Sequence, residues 1–544
     1  MPVRSNEQLS RFKKVAIIFV LSLALAIIII DATLLNVSLS YLIRDLNTDI
    51  KSLQWVITAY ALTIAAFTVT GGRLGDLFGR KKMFKLGAVL FAIGSLMASY
   101  SHTVGQMIIG ESIIEGIGAA LMMPATASLL TSTFRGPSRA MAMGIWGGIA
   151  GAASAVGPIL GGYLTTNYSW RWGFRINVVV AIILLIGSVI IKEYRDEEEK
   201  PALDWRGVIL SSVGLFTLVF GIIESSSYGW IKAKEIFSIA GHTVDLGSIS
   251  IVLPSLILAA ILLVSFVIWE IKIEKRGLTP IVSMSIFKNK QFTSSSITTT
   301  VMALGQSGLI FAMPIFFQSV RGLDAYHTGL AILPVSVAAI VVAPIAAILS
   351  RKIMPKRLIQ VGLFLNLLAM LLLYRKLNID TIPRDLIFEL VIYGIGMGLV
   401  MAQISNMVMS SVSVQKAGEV SGVNNTMRQI GSSLGSAIIG AVLLTSLATG
   451  IKDGIANSTV IPNNIKQKVA TDVAAESTNI EFKGGAVASK EIPASIVKEI
   501  NTIAHQSTTD SARKSLLYAS LFVLIGLFAS IALPNKRDLE EGQT

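Results

Sequence analysis

The chain alternates long apolar runs with short polar breaks, and within each run the apolar residues are continuous rather than alternating. Fourteen runs stand out, near residues 15–38, 53–72, 84–101, 105–132, 140–165, 172–191, 207–224, 249–269, 291–319, 327–349, 357–375, 385–411, 418–447 and 515–534. At 1.5 Å per residue, about 20 apolar residues cross the hydrocarbon core of a bilayer, so each run predicts a membrane-spanning helix. A β-barrel would show period-two alternation over segments of about ten residues. Irregular backbone facing lipid would leave its polar groups without partners. The predicted fold class is therefore an all-α integral membrane protein with 14 transmembrane helices.

Composition agrees: of 544 residues 53% are hydrophobic and 15% charged, and the mean hydropathy is +0.68. Soluble domains carry about 25% charged residues. The net charge of +13 is concentrated in the short turns of one face, as at Lys13, Lys14, residues 73–85, Lys356 and Arg357. The opposite turns hold few basic residues, chiefly Arg44, Lys51, Lys232, Lys234, Arg321 and Lys376. Positive charge marks the cytoplasmic side, so both termini are expected in the cytoplasm of a protein of the plasma membrane. Nucleic acid is not an expected partner, because it needs a continuous basic surface. The first run follows Arg11, Lys13 and Lys14 without a small-residue cleavage site and is read as a retained span. There is no cysteine, the four histidines lack ligand spacing, and no Gly-x-x-x-x-Gly-Lys-Ser/Thr loop occurs. The expectation is no metal, no cofactor and no enzyme.

Charges inside the runs are costly and are held for function, in a wet cavity or against a partner. Asp31 lies in Ile27-Ile28-Ile29-Ile30-Asp31-Ala32-Thr33, and Glu111 and Glu115 lie four residues apart in the fourth run. Residues four apart share a helix face, and two carboxylates on one buried face cannot both ionise cheaply. Asp31 and Glu115 both fall about 25 Å from the basic end of their helices and can meet at one depth. All three are candidates for proton coupling. Asp31, Asn36, Glu115, Glu224, Asn425 and Arg428 are candidates for lining a substrate cavity. Arg428, some ten residues inside its run, is expected to find an acidic or carbonyl partner.

Small residues punctuate two further stretches. Gly72, Gly75 and Gly79, with Asp76 among Arg73, Arg80, Lys81, Lys82 and Lys85, form a tight basic turn between the second and third runs. In the fifth run Ala153, Gly157 and Gly161 recur every four residues, beside Gly144, Pro158 and Gly162, and make a face for close helix approach. The pattern Gly72-x-Leu74-x-Asp76-x-x-Gly79-Arg80-Lys81 resembles the loop between helices two and three of the major facilitator superfamily. Gly157-Pro158-x-x-Gly161-Gly162 resembles the antiporter motif of its exporters. Trp170-Arg171-Trp172-Gly173-Phe174-Arg175-Ile176-Asn177, Asp204-Trp205-Arg206-Gly207 and Asn424-Asn425-Thr426-Met427-Arg428-Gln429-Ile430-Gly431 are similar to stretches of its fourteen-helix drug:proton antiporters.

That resemblance implies a major facilitator fold with two six-helix bundles, 15–191 and 291–534, joined by a linker, 192–290, that carries two inserted transmembrane helices. An outer loop, 449–513, and cytoplasmic tails, 1–14 and 535–544, complete the expected organisation. It implies a monomeric exporter that moves lipophilic, often cationic, compounds out through a midplane cavity, driven by the proton gradient. Export of an endogenous lipid or metabolite on the same scaffold, or a membrane sensor, are the alternatives. It further implies that Asp76, held by Arg80, meets the start of span thirteen near Gly418 to Gly422 as a conformational latch. The chain departs from the family pattern at Ser112, where an arginine is usual, and at Glu115, Ala153, Arg175 and Val179.

Overall fold

The computed structural model describes residues 10–48, 50–193, 204–239, 242–278, 280–350, 352–412, 417–462, 466 and 494–534. Arg4, Arg351, Lys536, Arg537, most of the charged stretch after Glu193 and the side chain of Asn36 lie outside the described residues. Six long helices come first: α1 (Arg11–Asp45), α2 (Ile50–Phe78), α3 (Arg80–Ser99), α4 (Val104–Thr133), α5 (Gly136–Asn167) and α6 (Arg171–Gly187). Then α7 (Trp205–Tyr228) and α8 (Val252–Lys275) flank a small antiparallel hairpin of β1 (Phe237–Ile239) and β2 (His242–Val244). Six more follow: α9 (Lys290–Ile315), α10 (Ala325–Leu349), α11 (Pro355–Lys376), α12 (Ile387–Ser410), α13 (Ala417–Asn457) and α14 (Ala494–Ala529). Among the described residues twelve of these helices, all but α2 and α5, contain a stretch long and apolar enough to cross a membrane.

Helix starts follow local chemistry. Asp204 accepts from the Gly207 N–H at 3.1 Å to open α7, and Asn289 accepts from Gln291 and Phe292 to open α9. Gly79 stands at φ 109°, a conformation closed to side chains, and lets α3 start at once after α2. Glu193, beyond α6, accepts from the Lys81 N–H at 2.9 Å and so supplies the acid that the start of α3 lacks.

Within lipid, helices gain nothing from burying apolar surface against each other, so close approach through small residues decides the packing. The α5 glycines serve two partners. A Cβ on Gly157 would overlap Thr33, and one on Gly161 would overlap Leu34, so this face takes α1. Gly144 and Gly148 instead receive Ala347 and Ala343 of α10. Toward its other end, α10 presents Gly329 to Ile159, and Tyr163 meets Tyr326 with ring centres 5.9 Å apart. A second seam joins α2 to α13, where Gly422 lies against the backbone of Thr68 and Val69. The close pairing of α3 with α4 through Gly87 and Gly118 recurs between α11 and α12 through Gly362 and Gly396. The Gly394-x-Gly396-x-Gly398 run is thus a packing element. The α7–α8 pair closes on itself and leans on α2, where Ser212 donates to the Ala66 carbonyl at 3.1 Å.

One boundary departs from expectation. The last helix starts at Ala494 rather than near 515, and α13 runs on to Asn457, so both ends of the expected outer loop 449–513 are helical. Ile451 and Ile455 of α13 pack with Ile461 and with Ile496 and Ile500 of α14, and Ser458 donates to Glu499 at 2.8 Å. Hydropathy does not mark this pair because only one face of each helix is apolar. Residues 463–465 and 467–493 lie outside the described residues.

Because Gly157 sits directly on Thr33, Gly157→Val is expected to cost about 1–3 kcal/mol through overpacking. Thermal unfolding in detergent should show a lower midpoint, partly restored by adding Thr33→Ala. An unchanged midpoint in the single variant would mean that α1 and α5 can separate freely there.

Candidate functional site

The three intramembrane carboxyl groups converge. Asn177 of α6 donates its amide to Asp31 Oδ1 at 2.6 Å and to Glu115 Oε1 at 3.1 Å, bridging α1 to α4. Asp31 is 1% exposed, and Glu111 and Glu115 are fully buried. Among the described residues, Asp31 Oδ2, Glu115 Oε2 and both oxygens of Glu111 have no hydrogen-bond partner. Tyr60 of α2 lies within electrostatic range of all three. No ion pair among the described residues involves any of them.

The helix that carries two of these acids is not regular. Residues Ile108–Glu115 are wound as a π-helix, a form found mostly as single turns at functional sites. Gly94 of α3 lies against the Gly110 carbonyl and the Glu115 backbone, so α3 backs this segment closely. Ser112, in the family's arginine position, donates to the Val56 carbonyl of α2 at 2.8 Å and anchors the segment from the other side. Asn177 and Tyr60 were absent from the candidate residues. Asn177 had a readable signal, being an amide inside an apolar run.

A second constellation lies at the end of the bundle that carries the basic turn. Asp76 Oδ1 accepts from Arg80 Nε at 3.0 Å and pairs with Nη2 at 2.9 Å, while Oδ2 accepts from the Glu419 N–H at 3.2 Å. Arg80 is itself buried and donates to the Ser128 carbonyl of α4 at 3.3 Å. The carboxylate thus caps the first turn of α13 across the seam. On the other seam, Arg139 at the start of α5 donates to the Met409 carbonyl at the end of α12. Asn289 and Gln291 reach the same helix end, at Ser411 and Met407.

The contact at Glu419 continues into the helix pair. Glu419 accepts from the Ser283 N–H at 2.5 Å, and Glu270 of α8 accepts from the neighbouring Val282 N–H at 3.2 Å. Two carboxylates therefore hold consecutive amides of the strap between α8 and α9. Asp204, the cap of α7, accepts from the Trp269 indole at 2.7 Å beside it. A hydrogen bond is worth about 0.5–1.5 kcal/mol, and about 1.5–3 kcal/mol where the acceptor is charged. Glu270→Ala and Glu419→Ala should each raise hydrogen exchange at 282–283 about tenfold or more. Unaltered exchange would show that other contacts hold the strap.

The remaining candidates fall elsewhere. Glu224 is buried one turn before the end of α7, in the helix pair. Asn425 is buried and bonds back to the Ser421 carbonyl at 2.9 Å. Of the acidic or carbonyl partner expected for Arg428, the described residues supply only the amide carbonyl of Asn425, whose Oδ1 accepts from Nη2 at 3.5 Å, with Met123 Sδ at 3.6 Å. Arg175 is tied to Ser99 Oγ at 3.1 Å and sits over the Trp172 ring. Nearby, Arg171 and the Trp170 indole both reach Asp45, so this tryptophan-rich stretch is a clasp between α1, α3 and α6.

Residues 21–436 match the profile of the Major Facilitator Superfamily. The chain is 29% identical over 406 residues to the tetracenomycin C resistance and export protein of Streptomyces glaucescens, covering 74% of this chain and 71% of that one. It is 28% identical over 432 residues to the multidrug transporter protein MdtP of Bacillus subtilis, covering 79% and 75%. Among solved structures, a bacterial homologue of the human lysosomal transporter Spinster aligns over 98% of this chain and 99% of its own, with a TM-score of 0.57 and 16% identity.

Proposed function

The chain belongs to the major facilitator superfamily, and from that premise we propose that it is a secondary active exporter of lipophilic drugs or toxic compounds, coupled to proton entry. The observation that carries this reading is the buried pair of Asp31 and Glu115 bridged by Asn177, with buried Glu111 four residues before Glu115 on α4, without a described cation. Buried carboxyl groups with no counter-charge favour binding a proton, and loading and unloading them from opposite sides supplies a driving step without ATP. The latch at Asp76 and the contact at Arg139 join the two blocks at their basic end. We read that end as cytoplasmic, from its positive charge. The contacts there hold the cytoplasmic side closed, and alternating access requires them to break.

The six-two-six division at 15–191, 192–290 and 291–534, a plasma-membrane location with both termini inside, and a monomeric state belong to the same proposal. So does the absence of a cofactor. The resistance and multidrug export named for the relatives support drugs over an endogenous lipid or metabolite. The test is transport in proteoliposomes under an imposed pH gradient, with a panel of lipophilic cations, anions and neutral compounds. Gradient-driven movement of at least one class is expected; movement that is unaffected by collapsing the gradient would sink the coupling.

A further inference from the structure

Arg428 is a cation that no carboxylate among the described residues neutralises. It lies nine residues into α13 from Glu419, about 14 Å from the latch toward the membrane interior. Its guanidinium faces α4 in the opposite block, where its contacts are the Met123 sulfur at 3.6 Å and the amide oxygen of Asn425 at 3.5 Å. A thioether is a weak acceptor, and 3.5 Å is the far limit of a useful hydrogen bond. Among the described residues no carboxylate pairs with it. Glu115, the acid on the facing helix, is eight residues from Met123, about 12 Å along α4. One turn before Arg428, on the same face of α13, the amide oxygen of Asn424 is buried and has no partner among the described residues.

A guanidinium at this depth is costly unless it is paired, and its planar fork of donors matches a carboxylate. Its position, on the seam that must open for alternating access, puts that unmet demand where a transported molecule passes. The Met123 side chain that it faces is apolar and offers a lipophilic body a soft surface to pack on. We propose that Arg428, with Asn424 beside it, is the substrate-recognising group of the exporter and takes an anionic oxygen, a carboxylate or phenolate, on an otherwise apolar compound. This rests on the export reading and narrows its substrate class. The acid cluster then handles protons alone, some 12 Å away, and does not hold the substrate.

The test uses two xanthene dyes of similar size: fluorescein, which carries a carboxylate and a phenolate, and rhodamine 6G, a cationic ester. Binding to the full-length protein in nanodiscs is followed by anisotropy at pH 7.4 for wild type, Arg428→Gln and Arg428→Lys. Wild type should prefer fluorescein. Arg428→Gln should weaken fluorescein about tenfold or more and leave rhodamine 6G within about twofold, with Arg428→Lys in between because it keeps the charge and loses the fork. Equal loss of both dyes, unchanged fluorescein binding, no wild-type preference, or no binding of either dye overturns the inference. Should Arg428→Gln fail to fold, Arg428→Lys decides by the same comparison of dyes. Dye movement in proteoliposomes separates the two readings. Selective binding without gradient-driven transport removes the exporter and leaves the anion site. Gradient-driven transport of rhodamine 6G alone does the reverse.

Discussion

Asp31→Asn with Glu115→Gln is expected to abolish accumulation driven by a pH gradient while exchange of substrate across the membrane continues. Asn177 holds one oxygen of each acid, so the two carboxyl groups form one unit and the neutral amides replace both proton carriers without emptying the site. Accumulation in proteoliposomes should fall at least about tenfold, the equivalent of about 1.4 kcal/mol or more in the driving step. Counterflow of labelled substrate at equal pH should persist, because that exchange needs the bundle to rock but carries no net proton. Glu111, which has no hydrogen-bond partner on either oxygen, is the peripheral member, and Glu111→Gln should keep partial activity. Wild-type accumulation by the double variant would remove Asp31 and Glu115 from the mechanism.

The second large effect is predicted at the latch. Asp76 neutralises the start of α13 through the Glu419 N–H, and Arg80 holds the carboxylate in place from below. A charge at a helix N-terminus contributes about 0.3–1 kcal/mol when exposed and up to about 2 kcal/mol when partly buried. Removing it with Asp76→Asn should therefore shift the population toward the state open at the basic end by up to roughly thirtyfold. Turnover should slow, and affinity in a fixed state should change little. The chain contains no cysteine, so spin labels at Lys82→Cys and Lys352→Cys report the distance between blocks on an otherwise silent background. A distance distribution identical to that without Asp76→Asn, together with normal transport, would reduce the turn to a topological anchor.

How much of this was legible in the sequence differs by kind of interaction. The helices were, because a span needs about 20 apolar residues whatever its neighbours do, and each run overlaps a described helix. The contact of Asp76 was legible too: the resemblance placed it against residues 418–422, and the carboxylate accepts from the Glu419 N–H. Glu111 and Glu115 were flagged as a pair on one helix face, and Asp31 as able to meet Glu115 at one depth, since any acid in an apolar run must be satisfied inside the protein. The π-wound turn under them was not, because the same residues fit a regular helix and only the approach of Gly94 and the bond from Ser112 settle the winding.

Length, apolar periodicity and the cost of charge in lipid are local properties, and through them the sequence by itself determined the helical class, the order of the helices and which charges need partners. Tertiary structure decided who those partners are. Asn177 joins Asp31 to Glu115 across 146 and 62 residues, Glu419 reaches Ser283 across 136, and Arg428 meets a sulfur instead of an acid. It also divided the α5 glycines between α1 and α10, and it folded the ends of an apparent outer loop into helices. The reason is physical. A hydrogen bond or a close helix contact depends on the direction a face points after the bundle has packed, and no window along the chain contains that direction.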